Sequence, residues 1–268
     1  MVHSRKLVSF SGSCPINCKH CYTHELNHGK YKSDMDEIPE IVEALNDGKP
    51  FDIIYVSRSR ENFIDEVAGV NLVTKLFEKY HKHIFVITRK ILSDQCIDNI
   101  VSLNRKMKQE GLFFGMAVSV PARGSYSITE SPECIESPNA RCELIKKLHN
   151  NGITTILMAR PVFPNRVIPT HEIISLIEEY SPYIDAVVSS GLAVNDAILK
   201  QLNMVRADFQ FLDGNNAEFL IGSEARDIQY IDVKDELKEI EHCCQLYSIP
   251  FSTHSMHAIN MLIDRALS

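Results

Sequence analysis

The sequence predicts an α/β fold built on a parallel sheet. The first observation behind this is rhythm: from residue 7 onward, short runs rich in β-branched and aromatic residues alternate six times with amphipathic segments. The second is size, since 268 residues suit one large domain and α/β barrels reach this length without splitting. The third is composition: 44% apolar and 24% charged residues supply a sizeable core and lie near the globular average. Six βα units in order imply right-handed crossovers. Pattern alone leaves an open doubly wound sheet and a barrel as alternatives.

Residues 7–10 form the first strand candidate, and a cysteine-containing loop follows it. Ile38, Ile41, Val42 and Leu45 then keep helical spacing, with Pro39 near the start. Residues 51–56 are the second strand, followed by a polar loop and a helix carrying Val70, Val73, Leu76, Phe77 and Tyr80. Residues 83–88 are the third, after which Ser93 caps a helix bearing Ile97, Ile100 and Val101. The fourth strand spans residues 113–120, and a Ser- and Pro-rich loop leads to a helix opened by Ser137-Pro138 and closed by Asn151-Gly152. Residues 154–159 and 186–190 are the fifth and sixth strands, with a helix starting at Pro169-Thr170 between them. Beyond about residue 205 the rhythm changes. Residues 209–212 and 218–221 read as a hairpin around a Gly- and Asn-rich turn, followed by an extended run at 228–232, a helix over 233–247, a short strand at 249–252 and a last helix. We therefore divide the chain into a core, residues 1–205, and an extension, residues 206–268, that caps the open side and belongs to the same domain.

The chemistry concentrates in Cys14-Pro-Ile-Asn-Cys18-Lys-His-Cys21. Thiolates are soft ligands that suit iron in a sulfide lattice, and this spacing lets one loop place three sulfurs around a single cubane, leaving one iron without a protein thiolate. The competing reading is structural zinc, with His20 or His24 as fourth ligand. Zinc ligands usually come as two separated short-spaced couples, and no such partner follows downstream.

The CxxxCxxC spacing resembles the signature of the radical S-adenosylmethionine (radical SAM) superfamily, and residues 133–152 resemble its spore photoproduct lyase-like branch. The resemblance implies a partial (β/α)6 TIM-like barrel with the cluster loop after the first strand. It implies a [4Fe-4S] cluster on Cys14, Cys18 and Cys21, with S-adenosyl-L-methionine (SAM) chelating the open iron. It also implies an external one-electron reductant, flavodoxin or ferredoxin-like. Reductive cleavage of SAM would then yield a 5'-deoxyadenosyl radical that abstracts hydrogen from an organic substrate. Within that class we expect a small-molecule or peptide substrate; activation of a glycyl-radical enzyme and repair of a nucleic-acid lesion are the alternatives. A reading of another class is a non-catalytic module whose zinc or cluster only staples the loop.

Four residues are candidates for holding SAM. Relatives carry Gly-Gly-Glu after the second strand; here Ser57-Arg58-Ser59-Arg60-Glu61-Asn62 stands instead, and Glu61 is the acceptor for the SAM ammonium. On the fourth strand Gly115, Ala117 and Ser119 share one face by the two-residue period, and Ser119 is the candidate for the SAM ribose or carboxylate. Arg141, one turn into its helix, has the fork geometry for a carboxylate. Arg160 ends an apolar strand in parity with Ile156 and Met158, which suits a polar cavity holding SAM or an anionic substrate. His254 and His257 form a candidate metal pair or substrate contact, and Tyr22, Tyr126, Tyr230 and Cys243 are candidate hydrogen donors.

A formal charge of −7 opposes non-specific attraction to nucleic acid. The N-terminal residues lack a long apolar run, so we expect a cytoplasmic protein without a membrane partner. The eight cysteines do not form a disulfide framework on this reading; Cys96 and Cys142 fall in apolar helical patterns as buried thiols.

Overall fold

The computed structural model describes residues 3–10, 14–21, 45, 48–56, 60–212 and 228–267. Six parallel strands follow one another across the sheet in chain order: β1 (Arg5–Val8), β2 (Ile53–Val56), β3 (His83–Thr88), β4 (Phe114–Ser119), β5 (Thr154–Met158) and β6 (Ala186–Val188). A small antiparallel pair, β7 (Ala193–Val194) and β8 (Gln229–Tyr230), stands apart, and β9 (Phe251–Ser252) then adds to the free edge of β6 as a seventh parallel strand.

A doubly wound sheet reverses its strand order about a switch point. Here the order never reverses, so the twist accumulates one way and the sheet curls into the partial barrel that the cysteine motif implied. The seventh strand exceeds the six expected. It falls in the short extended run read at 249–252, expected in the extension and not in the main sheet.

Alternation splits each strand between two faces. Ile54, Val56, Ile84, Val86, Met116, Val118 and Leu157 pack outward under the helices α1 (Glu66–Tyr80), α2 (Asp94–Gln109), α4 (Pro138–Asn150) and α5 (His171–Tyr180), with the single turn α3 (Tyr126–Thr129) lying in the loop after β4. The inner face carries Ile53, Tyr55, Phe85, Ala117, Ile156, Met158, Ala186 and Val188. Register aligns Tyr55, Phe85 and Gly115 in one row, and a Cβ on Gly115 would meet the Phe113 ring at 2.7 Å. After α6 (Asp196–Gln201) and α7 (Lys234–Leu246), the final helix α8 (Ser255–Leu267) lays Met256, Ile259, Leu262 and Ile263 on that inner face. Each such side chain contributes about 1.5–3 kcal/mol when fully buried.

Local signals act as their chemistry dictates. Ser93 and Ser137 accept from Cys96 N and Ala140 N, each at 3.3 Å, to cap α2 and α4. Asp65 caps α1 in the same way, and Gly152 takes φ 75° just past α4. Cys96 and Cys142 are buried free thiols. The helix expected over 38–45 lies outside the described residues except for Leu45, as does most of the hairpin expected over 209–221; Phe211 bridges antiparallel to Ile231. Among the described residues no helix is long and apolar enough to cross a membrane.

Candidate functional site

Cys14, Cys18 and Cys21 lie on one loop beyond the C-terminal end of β1, the end of a barrel strand where chemistry is carried. The loop turns tightly, with Cys21 N donating to Cys18 O at 3.0 Å and Asn17 at φ 52°. It is clipped to α3: Lys19 N donates to Thr129 O at 2.9 Å, and Lys19 Nζ to Ser127 O at 3.0 Å. Ile16 and Cys18 pack on Ile135, leaving Cys14 and Cys21 half-buried. Burial pushes the Cys18 thiol up to about 12, against the pull of the Arg89 charge.

His20 Nδ1 lies 3.1 Å from the Thr129 carbonyl, which can only accept, so this nitrogen carries the proton. Nε2 then accepts from Arg89 Nη2 at 3.4 Å. Both ring nitrogens are thus engaged, and His20 would have to give up the Arg89 contact to serve as a fourth zinc ligand. Among the described residues no three His, Cys, Asp or Glu side chains meet closely enough to hold one metal ion, and His24 lies outside them. A cubane, which presents its irons at separate corners, does not need its thiols to meet at a point.

Under the loop sits a buried ionic network. Glu130 has no exposed surface; its Oε1 accepts from Arg89 Nη1 at 2.5 Å and Arg141 Nη1 at 3.2 Å, and its Oε2 from Arg141 Nη2 at 2.6 Å. Arg141, also fully buried, donates from Nη1 to the Ser119 carbonyl at 2.5 Å as well. Burial works to lower the Arg89 pKa, but the negative charge at Cys18 and Glu130 outweighs it and the net direction is up.

Glu61 ties the strand ends together. Its Oε1 accepts from Phe63 N and Thr88 Oγ1, each at 3.0 Å, and its Oε2 from Arg89 N at 2.7 Å. Burial raises its pKa, and these hydrogen bonds oppose the shift. Next to it, Asn62 Oδ1 accepts from Phe10 N at 3.0 Å. The loop after β2 thus holds the ends of β1 and β3 beside the cysteines.

With this geometry in place, no protein-family model and no curated protein matches the chain. Solved structures do. Spore photoproduct lyase complexed with dinucleoside spore photoproduct aligns over 89% of this chain and 71% of its own, with TM-score 0.58 and 12% identity. A mutant of spore photoproduct lyase with bound AdoMet and dinucleoside spore photoproduct aligns over 89% and 72%, with TM-score 0.55 and 12% identity. A radical SAM methyltransferase from Sphaerobacter thermophilus aligns over 92% and 65%, also with TM-score 0.55 and 12% identity.

The chain shares its fold, a partial TIM-like barrel, with these solved structures. Within this fold the candidate SAM residues fare differently. Ser119 lies on the inner face, 1% exposed, and its Oγ has no hydrogen-bond partner among the described residues. A buried hydroxyl normally finds one, so this orphan suits a ligand contact. Arg160 lies half-buried beyond β5, and its Nη2 reaches Tyr55 OH at 3.4 Å; that hydroxyl in turn lies 3.4 Å from Ser255 Oγ. No described carboxylate pairs with Arg160. Arg141, by contrast, points into the protein, and its fork is spent on Glu130 and the Ser119 carbonyl.

The rings of His254 and His257 lie 5.5 Å apart, but His254 Nδ1 accepts from Met256 N at the start of α8 and no third described ligand joins the pair. Cys243 is buried within α7, and Tyr230 within β8; Tyr22 lies outside the described residues. Sequence reasoning missed Arg89, Glu130 and Thr88. A signal for Arg89 was present: it follows an apolar strand just as Arg160 does.

Proposed function

We propose that this chain is a radical SAM enzyme whose Cys14, Cys18 and Cys21 bind a [4Fe-4S] cluster with an iron open to SAM. The observation that carries the reading is the placement of the three thiols on one clipped loop at the C-terminal mouth of a radical SAM fold. When bound, the pair supplies reductive cleavage of SAM to an organic radical that removes hydrogen from the substrate, the electron coming from a flavodoxin or ferredoxin-like donor.

The chain's own residues divide the remaining work. A carboxylate offers about four lone-pair sites, and Glu61 has used two on Oε1 and one on Oε2, so Oε2 keeps a site for the SAM ammonium. Ser119 Oγ donates to the ribose or carboxylate, and Arg160 supplies the cation for the carboxylate. Arg141 acts through Ser119, holding its carbonyl so that the hydroxyl faces inward. Residues 1–205 carry this site and residues 206–268 close the barrel over it.

For the substrate we favour a small molecule or peptide, because a charge of −7 opposes a phosphate backbone. The likeness to spore photoproduct lyase favours a second reading, lyase repair of a nucleic-acid lesion. A salt-dependent mobility shift with a damaged oligonucleotide, absent with the undamaged one, selects the second.

The deciding experiment is anaerobic purification with iron and sulfide analysis, then SAM plus a strong reductant and chromatography for 5'-deoxyadenosine. About four irons per chain and product that vanishes in Cys18→Ser establish the reading. Zinc, or SAM left intact beside a reduced cluster, ends it.

A further inference from the structure

The cysteine loop rests on a charge that the ligands themselves do not require. Two guanidinium groups, Arg89 and Arg141, share the single carboxylate of Glu130. Arg141 takes both carboxylate oxygens and has no exposed surface, while Arg89 takes one of them at 2.5 Å, so two cations share one carboxylate. Of the two, Arg89 is the member that touches the loop through His20. Glu61, the other acid at hand, accepts from the Arg89 backbone N–H and also feels the Arg89 charge, so it offsets part of it. Neighbouring Lys90 does not add to the excess because it pairs with Glu136. The Arg89 side chain is 21% exposed, so water screens it only partly.

Building on the proposed function, we propose that Arg89 sets the reduction potential of the cluster on Cys14, Cys18 and Cys21, its guanidinium favouring the reduced state and Glu130 limiting that bias. The step concerned is transfer of one electron from an external donor to the cluster; no bond forms or breaks at Arg89 and no proton moves. The reduced state carries one more negative charge than the oxidised state, so a fixed positive charge held nearby in a region of low dielectric stabilises it more. The hydrogen bonds from Arg89 to Glu130 and His20 hold that charge in place, the role outer partners play around bound metals. His20, lying between Cys18 and Cys21 in sequence, couples it directly to the ligand loop.

The test is an anaerobic redox titration of the reconstituted protein, read by the electron paramagnetic resonance of the reduced cluster. In Arg89→Gln the ratio of reduced to oxidised cluster at fixed potential falls at least tenfold, about 59 mV for a one-electron couple. Arg89→Lys keeps the charge and stays close to wild type. Glu130→Gln removes the counter-charge and moves the midpoint the other way. An unchanged midpoint in Arg89→Gln overturns the proposal, as does a shift in Arg89→Lys equal to that in Arg89→Gln. If Arg89→Gln does not load iron, Glu130→Gln decides alone by the sign of its shift. Loss of iron in all three variants assigns the network to loop folding and also overturns it. A wild-type protein that takes up no cluster refutes the proposed function instead, so the two failures are distinct.

Discussion

Arg89 and Arg160 occupy matching places, just beyond the C-terminal ends of β3 and β5, yet their surroundings differ. Arg89 is gripped on three sides, by Glu130, by His20 and through its backbone by Glu61. Among the described residues Arg160 makes one long hydrogen bond, to Tyr55. The first region is braced before any ligand arrives, and the second keeps a cation in reserve. Bracing suits the ground beneath a ligand loop, where a small displacement is costly; reserve suits a residue whose partner comes from outside.

The contrast can be broken most directly at Glu130. Glu130→Ala leaves two arginines, one of them fully buried, without their carboxylate, and we expect a loss of about 3–5 kcal/mol in urea unfolding. A loss below about 1 kcal/mol would mean the network is not the brace.

Glu172 fastens the far side of the same platform. Its Oε2 accepts from the backbone N–H groups of Arg123, Gly124 and Ser125, the residues leading into α3. Glu172→Gln should cost about 1–3 kcal/mol, discounted because the side chain is only partly buried. Burial works to raise the pKa of Glu172, but the hydrogen bond from the Ser125 hydroxyl and those from the three backbone N–H groups prevail and lower it. Its contribution is therefore complete above the unfolded value, about 4.3, and is lost as pH falls through the lower folded value. Acid unfolding curves of wild type and Glu172→Gln should converge at the lowest pH; curves that stay parallel contradict this.

A smaller effect is expected at Thr88, whose hydroxyl donates to Glu61: Thr88→Val should cost about 1 kcal/mol. The smallest belongs to Arg160. Arg160→Gln should change stability by less than about 0.5 kcal/mol while weakening SAM binding in equilibrium dialysis. A large stability loss with unchanged SAM affinity would place Arg160 among the bracing residues and erase the comparison.

The sequence made some of this readable and hid the rest for physical reasons. Strands of four to six residues flanked by caps showed their period, and Ser93 and Ser137 announced the helices they start. β7, two residues long, carries too little pattern to read, and β9, readable as a short extended run, gives no sign that it joins the main sheet. Three thiols at fixed spacing mark a candidate ligand loop locally, whereas a pairing between Arg89 and Glu130 spans 41 positions and leaves no local trace. Glu130 itself sits in Thr-Glu-Ser-Pro-Glu, a stretch that reads as exposed loop, yet it has no exposed surface. Arg141 reads in the sequence as a fork for the SAM carboxylate, and in the fold that fork meets Glu130 and the Ser119 carbonyl.

The placement of α8 bears on how the chain acquires its shape. Strands β1 to β6 precede it, and their inward side chains, among them Ile53, Phe85, Ile156 and Val188, are covered by residues 255–267. During synthesis the outer helices emerge interleaved with their strands, but this concave surface stays wet until α8 leaves the ribosome. A nascent chain stalled before that point presents a greasy trough with nothing to fill it, the kind of surface on which chaperones act.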